Sequence, residues 1–328
     1  MGVRYLIGLD FGTLSVRGVL IDADSGTAVD HHASSYRHGV MSGTLADGTP
    51  LPPGFALQDP SDYLAAAEEV LQRLGQGREI LAIGIDFTAS SPLPAMADGT
   101  PMSELMPNEP HAYVKLWKHG AAQRYADEIN AAGGAFLDDF GGRVSGEWLL
   151  AKAAQLANEA PDIWARSERF IEAGDWMVLR LTGCEARNLG FAAYKAQYSA
   201  AASYPSDILP GLDARLGRPL PAGSPAGALN QEWRRRTGIE GPATVAVAII
   251  DSHAVLPAVG AVDDGTVVGA LVTSAAYLFL AERRLELPAG LEGMAHGGPL
   301  PNLWLYEAGQ AAFGDILAWF VRTFPVCA

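Results

Sequence analysis

Residues 6–22, LIGLDFGTLSVRGVLID, constrain the fold more than any other part of the chain. Two apolar, β-branched runs flank a short polar segment at Gly12, which predicts a strand, a tight turn and a second strand. The glycine lets a ligand approach the backbone, and the exposed N–H groups of such a turn favour an anion. Thr13 and Ser15 add hydroxyls and Arg17 a cation. An ordinary β-hairpin with a polar turn explains these residues equally well, so the choice depends on the rest of the chain.

The composition describes a folded, acidic protein. Of its 328 residues 49% are hydrophobic and 18% charged, which suffices for a buried core and predicts two domains or one domain plus a fragment. A net charge of −14 argues against a nucleic-acid partner, although a nucleotide remains compatible. Two cysteines are too few for a disulfide framework, and no stretch has the length of a membrane span. We expect a soluble, cytoplasmic α/β protein.

Three apolar strands are predicted to end in carboxylates, at Asp10, Asp86 and Asp251. A single aspartate after a strand is usually a turn former or a helix cap. Three such strands with small-residue loops beside them favour a ligand cleft, because open α/β sheets bind ligands at the carboxyl ends of their strands.

The remaining pattern suggests one complete domain and the start of another. Hydrophobic periodicity predicts a third strand near residues 28–36 and a hairpin over 267–280 that resembles the opening one. Residues 38–57 and most of 185–230 are predicted as loop with short elements. The predicted helices cover residues 59–74, 109–131, 146–158, 174–182 and 307–324. Because a full second copy would need well over a hundred further residues, we expect an incomplete one. Trp319 and Phe320 in the last helix would then be exposed or buried against a partner chain, so homo-oligomerisation is a further expectation.

Eight segments in order resemble the FGGY carbohydrate kinases, and within them the ribulokinases. They are GLDFGTLSVRG at the start, GIDFTASSPLP (84–94), VKLWKHGAA (114–122), GGRVSGEWLLAK (141–152), EAGDW (172–176), AAYKA (192–196), IDSHAVLPAVGA (250–261) and YEAGQAAFGD (306–315). The hairpin alone is weakly specific, because the actin-like ATPases share it. Ala89 after DFT and Lys195 in AAYKA are more similar to ribulokinases than to xylulose or glycerol kinases.

The resemblance implies ribonuclease-H-like (actin-like ATPase) domains around a cleft, with residues 1–250 as the sugar-binding domain and 251–328 as the start of a second, without its adenosine site. It implies transfer of the γ-phosphoryl of MgATP to a terminal hydroxyl of a ketopentose such as L-ribulose, with Asp251 as the base. The residues implied at the sugar are Ala89 (through its backbone), Lys195, Asp251 and Glu307, with Trp117 as a stacking candidate. Those implied at the phosphates are Asp10, Gly12, Thr13, Ser15, Arg17 and Thr273, with Asp10 holding Mg²⁺ through water.

Some residues depart from the family pattern and keep alternatives open. The second hairpin has Val272 where the family usually has glycine, and the branched side chain would obstruct the approach of phosphates. A non-catalytic sugar-binding or regulatory protein is therefore the alternative to a kinase. A chaperone-like or actin-like ATPase shares the opening hairpin, but it leaves the sugar-pocket residues unexplained. His253 either tunes Asp251 or is a packed neutral histidine, and Trp117 either stacks on sugar or belongs to the core.

Overall fold

The computed structural model describes residues 3–271, 275–287, 291–310 and 312–324. The strands are β1 (Arg4–Phe11), β2 (Ser15–Asp22), β3 (Ala28–Ser35), β4 (Leu57–Gln58), β5 (Glu79–Phe87), β6 (Pro92–Ala95), β7 (Val114–Lys115), β8 (Arg169–Glu172), β9 (Arg187–Asn188), β10 (Pro219–Leu220), β11 (Pro225–Ala228), β12 (Thr244–Ala246), β13 (Ile249–Ile250), β14 (Val267–Leu271), β15 (Ala275–Ala281), β16 (Gly293–His296) and β17 (Trp304–Gln310). The helices are α1 (Pro60–Gly75), α2 (Met102–Leu105), α3 (Gln123–Ala132), α4 (Leu149–Glu159), α5 (Pro161–Arg166), α6 (Ala173–Thr182), α7 (Leu189–Ala196), α8 (Leu212–Leu216), α9 (Gln231–Thr237), α10 (Asp251–Ala258) and α11 (Gly314–Thr323), with 3₁₀ turns at Pro110–Ala112 and Ala135–Phe140.

The larger sheet has the strand order β11-β12-β5-β1-β2-β3, and β13 also pairs with β5. The opening hairpin β1–β2 is antiparallel and β3 continues it as a meander, as predicted. Strand β5 then lies parallel to β1 on its other side, with β12 and β13 parallel to β5. The apolar run 243–250, predicted as the strand that ends at Asp251, is therefore divided between β12 and β13. This arrangement makes the carboxyl ends of β1, β5 and β13 meet at one edge of the sheet.

A second, antiparallel sheet has the order β14-β15-β17-β16. The predicted hairpin over 267–280 is its β14–β15 pair. Val267 lies opposite Phe279 at one end of the pair, and Leu271 lies opposite Ala275 at the other. Residues 272–274, which the sequence predicts as the turn of this hairpin, lie outside the described residues.

Helix α1 covers the meander side of the large sheet. It begins as the sequence predicts, because the Asp59 carboxylate accepts a hydrogen bond from the Ser61 N–H and Pro60 occupies the first turn. Its buried Val70 and Leu74 pack directly on β2 at Gly18, where no side chain intervenes. Helix α6 packs in the same manner on β5 and β12.

The helix predicted over 109–131 is wrong in its first half. A 3₁₀ turn comes first, then β7 pairs with β4, and only α3 is helical. The local sequence pattern favours a helix here, but tertiary pairing overrides it. Val114 and Lys115 instead form β-ladder pairs with β4. Trp117 consequently lies in a turn.

The helix predicted over 307–324 is also too long. Its first residues belong to β17, which is paired on both sides, with β15 and with β16. An apolar run of this length is ambiguous between strand and helix, and the two neighbouring strands decide it. Glu307 therefore lies on a strand, and the helix is confined to α11.

The apolar side chains of α11 are exposed in the isolated chain, as predicted for Trp319 and Phe320. Trp319 is 54% exposed and Phe320 43%, and Leu317 beside them is 54% exposed. Exposed apolar clusters of this kind mark contact surfaces. Homo-oligomerisation stays a prediction.

The close contact between α1 and β2 predicts a large difference between two glycines. A Cβ added at Gly18 would stand 2.3 Å from Val70 Cγ1 and 2.8 Å from Leu74 Cδ1, whereas one at Gly84 meets nothing within 4 Å. Gly18→Ala should therefore lower the free energy of unfolding by about 1–3 kcal/mol through overpacking. Gly84→Ala is the matched control on β5 and should change it by less than about 0.5 kcal/mol. Urea denaturation of both variants measures this, and equal midpoints would contradict the packing described.

Candidate active site

Three carboxylates meet at the carboxyl edge of the large sheet, as predicted. Asp10 on β1 and Asp86 on β5 are direct neighbours in the parallel register. In β13, Ile250 pairs with Phe87 of β5, and the next residue, Asp251, begins α10. Strand pairing therefore brings these three carboxylates together.

Burial and crowding raise the proton affinity of two of these carboxylates, Asp86 and Asp251. Burial raises the pKa of Asp86 to about 8, and the charges of Asp10 and Asp251 add to the effect. Burial also raises the pKa of Asp251, while the Ser252 N–H, at 2.7 Å, and the positive charge of Lys195 oppose the rise. Negative charge is thus concentrated here without full compensation, which is the condition that a cation relieves.

The hairpin between β1 and β2 brings one cation to this edge. Arg17 lies opposite Asp10 in the antiparallel register, and its Nη2 is 2.7 Å from Asp10 Oδ2. The Gly12 N–H donates to the Ser15 carbonyl at 3.0 Å and closes the turn. A Cβ at Gly12 would lie 3.5 Å from Arg17 Nη2, so position 12 faces the ion pair. Four of the predicted phosphate residues are therefore together with Asp10.

The predicted phosphate residue Thr273 and its neighbour Val272 lie outside the described residues. What they do at the phosphates stays a prediction.

Two predicted sugar residues, Lys195 and Glu307, face the same region from different elements. Lys195 lies in the last turn of α7, which begins at Asn188 because the Asn188 side chain accepts the N–H groups of Gly190 and Phe191. Its ammonium lies 5.6 Å from the centre of the Trp148 ring. Glu307 projects from β17.

Glu307 is buried and ionised. Burial alone would raise its pKa, but the charge of Lys195 and the nearby His253 outweigh it and lower the pKa to about 2. His253 Nε2 is 3.4 Å from Glu307 Oε2, and the His253 ring packs edge-on against Tyr194. His253 is thus fully buried and points toward Glu307, so it helps to orient that carboxylate.

Ala89 lies in the short loop that follows β5. The next residue, Ser90, has a φ of +62°, a left-handed conformation that is uncommon for a residue with a side chain. Its hydroxyl donates to the Glu147 carbonyl at 2.7 Å, and the Ser91 N–H donates to Glu172 Oε2 at 2.8 Å. The loop is therefore held from several sides beside the carboxylate edge.

Trp117 links the turn after β7 to the opening hairpin. Its indole Nε1 donates to Thr13 Oγ1 at 3.1 Å, and the Thr13 carbonyl accepts from Gln58 Nε2 at 2.7 Å. The ring is half-buried, and stacking on a sugar stays a prediction.

Sequence reasoning missed two buried ionisable residues beside this region, Lys152 and Glu172. Both lie within the resembling segments, but a lysine within an apolar helix gives no sign of its burial. Asp86 was recognised at a strand end without being given a role at the site.

The structure also bears on metals and membranes. Within the described ranges, no three His, Cys, Asp or Glu side chains come together as a direct metal site. The adjacent Asp10 and Asp86 carboxylates suit a hydrated Mg²⁺ instead, since Mg²⁺ keeps several waters and uses one or two carboxylates. None of the described helices has the length and apolar character that a membrane crossing needs.

Comparison with known proteins confirms the resemblance to the FGGY carbohydrate kinases. The chain is 40% identical to a ribulokinase of Geobacillus thermodenitrificans and 32% identical to one of Staphylococcus aureus, each over 98% of this chain. The chain spans 61% of the Geobacillus protein and 63% of the Staphylococcus protein. No family model matches it.

Solved structures of sugar kinases show the same fold as this chain. A xylulose kinase from Rhodospirillum rubrum matches with a TM-score of 0.82 and 20% identity over 99% of this chain and 64% of that one. A Plasmodium falciparum glycerol kinase with ADP matches with 0.80 and 12% identity over 98% and 64%. The predicted α/β class is confirmed, and the fold is consistent with that of the actin-like ATPases.

The crowded carboxylates predict a specific pH dependence. An unfolded aspartate has a pKa of about 3.9, so between pH 4 and 8 the folded chain holds the Asp86 proton more tightly. Stability contributed by this group is therefore lost as the pH rises through that window. Between pH 5 and pH 8, the free energy of unfolding of Asp86→Asn should rise relative to that of the parent chain by at least about 1.4 kcal/mol, the equivalent of one pKa unit. Urea denaturation without Mg²⁺ measures it. The exposed Asp207→Asn is the control, and identical pH profiles for Asp86→Asn and the parent would contradict the assignment.

Proposed function

We propose that this chain forms the sugar site and supplies the base of an ATP-dependent kinase that phosphorylates a ketopentose, with L-ribulose as the first substrate to test. The observation that carries the proposal is the meeting of Asp251 with Lys195 and Glu307 beside the Asp10–Arg17 pair. Relatives named ribulokinase support the choice of substrate.

The sugar-side residues suit a polyol. Glu307 stays ionised at neutral pH, because its pKa is about 2, so its oxygens accept hydrogen bonds from hydroxyls. The Lys195 ammonium only donates. Charged partners of both kinds reject analogues that lack a hydroxyl, because an unpaired charge, which is buried at Glu307, would remain.

Asp251 is the proposed base. The terminal hydroxyl of the sugar gives its proton to the Asp251 carboxylate as its oxygen bonds to the γ-phosphorus, and the bond to the ADP oxygen breaks. The raised pKa of Asp251 improves its ability to accept that proton. Its place at the start of α10 keeps it next to the hairpin that carries Arg17.

The proposed phosphate residues are Gly12, Thr13, Ser15 and Arg17 in the opening hairpin and Thr273 in the second one. Mg²⁺, when bound through water to Asp10, would neutralise phosphate charge. The Arg17 guanidinium would add a donor on the same side, as positioning and charge neutralisation provide most of the catalysis in phosphoryl transfer.

We also propose the domain division of the sequence analysis, with residues 1–250 as a ribonuclease-H-like sugar domain and residues 251–328 as the beginning of a second. The separate antiparallel sheet of β14 to β17 supports a new unit at this point.

Asp251→Asn separates catalysis from binding. The variant should lower the rate of L-ribulose-dependent ADP release by about 10²–10⁴-fold, because the proton acceptor is lost. Its affinity for L-ribulose, measured by calorimetry without ATP, should stay within a few-fold of the parent chain. The exposed Asp263→Asn is the control and should match the parent in both assays.

The same two assays decide between the kinase and the sugar binder. L-ribulose binding together with ADP release supports the kinase. Binding without ADP release from the folded parent chain overturns the kinase for this chain and supports the non-catalytic alternative. Unchanged turnover in Asp251→Asn would show that the base is another residue.

A further inference from the structure

Lys152 joins two loops from inside the protein. It lies in α4 with its side chain fully buried, and its Nζ donates to the Ser90 carbonyl at 2.6 Å and the Leu116 carbonyl at 2.8 Å. The carbonyls of Lys115 and Trp117 are at 3.4 and 3.5 Å. One ammonium thus bridges the loop after β5 and the segment that carries Trp117.

Glu172 holds the same loop through a backbone N–H group. Its Oε2 accepts the Ser91 N–H at 2.8 Å. The peptide group between Ser90 and Ser91 is therefore held at its carbonyl by Lys152 and at its N–H by Glu172. Because Ser90 has the unfavourable φ of +62°, this grip holds a conformation that the loop would otherwise tend to leave.

Keeping these two ionisable groups inside the protein is costly. Burial lowers the pKa of Lys152 to about 7 and raises that of Glu172 to about 7. Apolar residues of similar volume at such positions are often neutral or stabilising. The pair is thus poorly explained by stability alone, which directs attention to what it holds in place.

What the pair holds is the sugar side of the cleft. The loop contains Ala89, and the segment at Lys115–Trp117 ends in the indole that donates to Thr13. A substitution at Lys152 would therefore shift the loop at the proposed sugar contact and, through Trp117, the opening hairpin.

We propose that Lys152 and Glu172 are positioning residues that fix the Ala89 loop in the geometry that binds the sugar. Neither group touches the substrate, and both act through the Ser90–Ser91 peptide. The proposal rests on the proposed sugar site and adds to it two residues on which sugar affinity depends.

The test is L-ribulose calorimetry on the full chain. Lys152→Met keeps the apolar stem but removes the donors, and it should raise the dissociation constant at least tenfold, because a loop that is no longer held must be ordered when the sugar binds. Glu172→Leu should do the same. Glu172→Gln should stay within threefold, because its amide oxygen still accepts the Ser91 N–H. The exposed Lys118→Met, on the turn with Trp117, is the matched control and should not change the affinity.

A second measurement separates positioning from general loss of structure. Amide exchange at Ser91 should speed up at least tenfold in Glu172→Leu but not in Glu172→Gln, with unchanged circular dichroism. If Lys152→Met does not fold, the two Glu172 variants alone test the positioning proposal. Parent-like affinity in folded Lys152→Met and Glu172→Leu would overturn the positioning proposal while leaving the sugar site intact. A parent chain that binds no L-ribulose would overturn the sugar site itself.

Discussion

Parallel pairing of β5 with β1 on one side and β13 on the other is the constraint on which the site depends. The register sets Asp10 beside Asp86, and the pairing of Phe87 with Ile250 sets Asp251 at the next position along the edge. A shift by one residue would turn each carboxylate toward the opposite face of the sheet. The buried apolar residues of β1 and β5 prevent that shift, because Ile7, Leu9, Ile83 and Ile85 would have to leave the core.

This arrangement concentrates negative charge that the protein only partly balances. Arg17 pairs with Asp10, and Lys195 stands near Asp251 and Glu307, yet Asp86 still has its pKa raised to about 8. The unbalanced charge is costly to the folded chain and suits a site that receives a hydrated cation with phosphates. The charge of Glu307 is balanced instead, since Lys195 and His253 keep it ionised. The two sides of the site thus differ in the chemistry that they offer.

The sequence was sufficient for the central strands of the large sheet and for the carboxylates at their ends. The opening hairpin and the three aspartates at strand ends follow from apolar runs that stop at polar, small-residue turns, which is local information. The sequence pattern predicts a helix at Glu307, because only pairing with β15 and β16 makes its segment a strand. Lys152 and Glu172 escaped prediction for a related reason: their burial depends on loops that are distant in sequence. What stayed beyond prediction was therefore the tertiary environment of particular residues.

The most direct test of the account is a crystal structure of the full chain with L-ribulose. The account predicts the sugar between Lys195 and Glu307, with its terminal hydroxyl oxygen about 2.6–3.2 Å from the Asp251 carboxylate. A sugar bound elsewhere, or one whose terminal hydroxyl points away from Asp251, would contradict it.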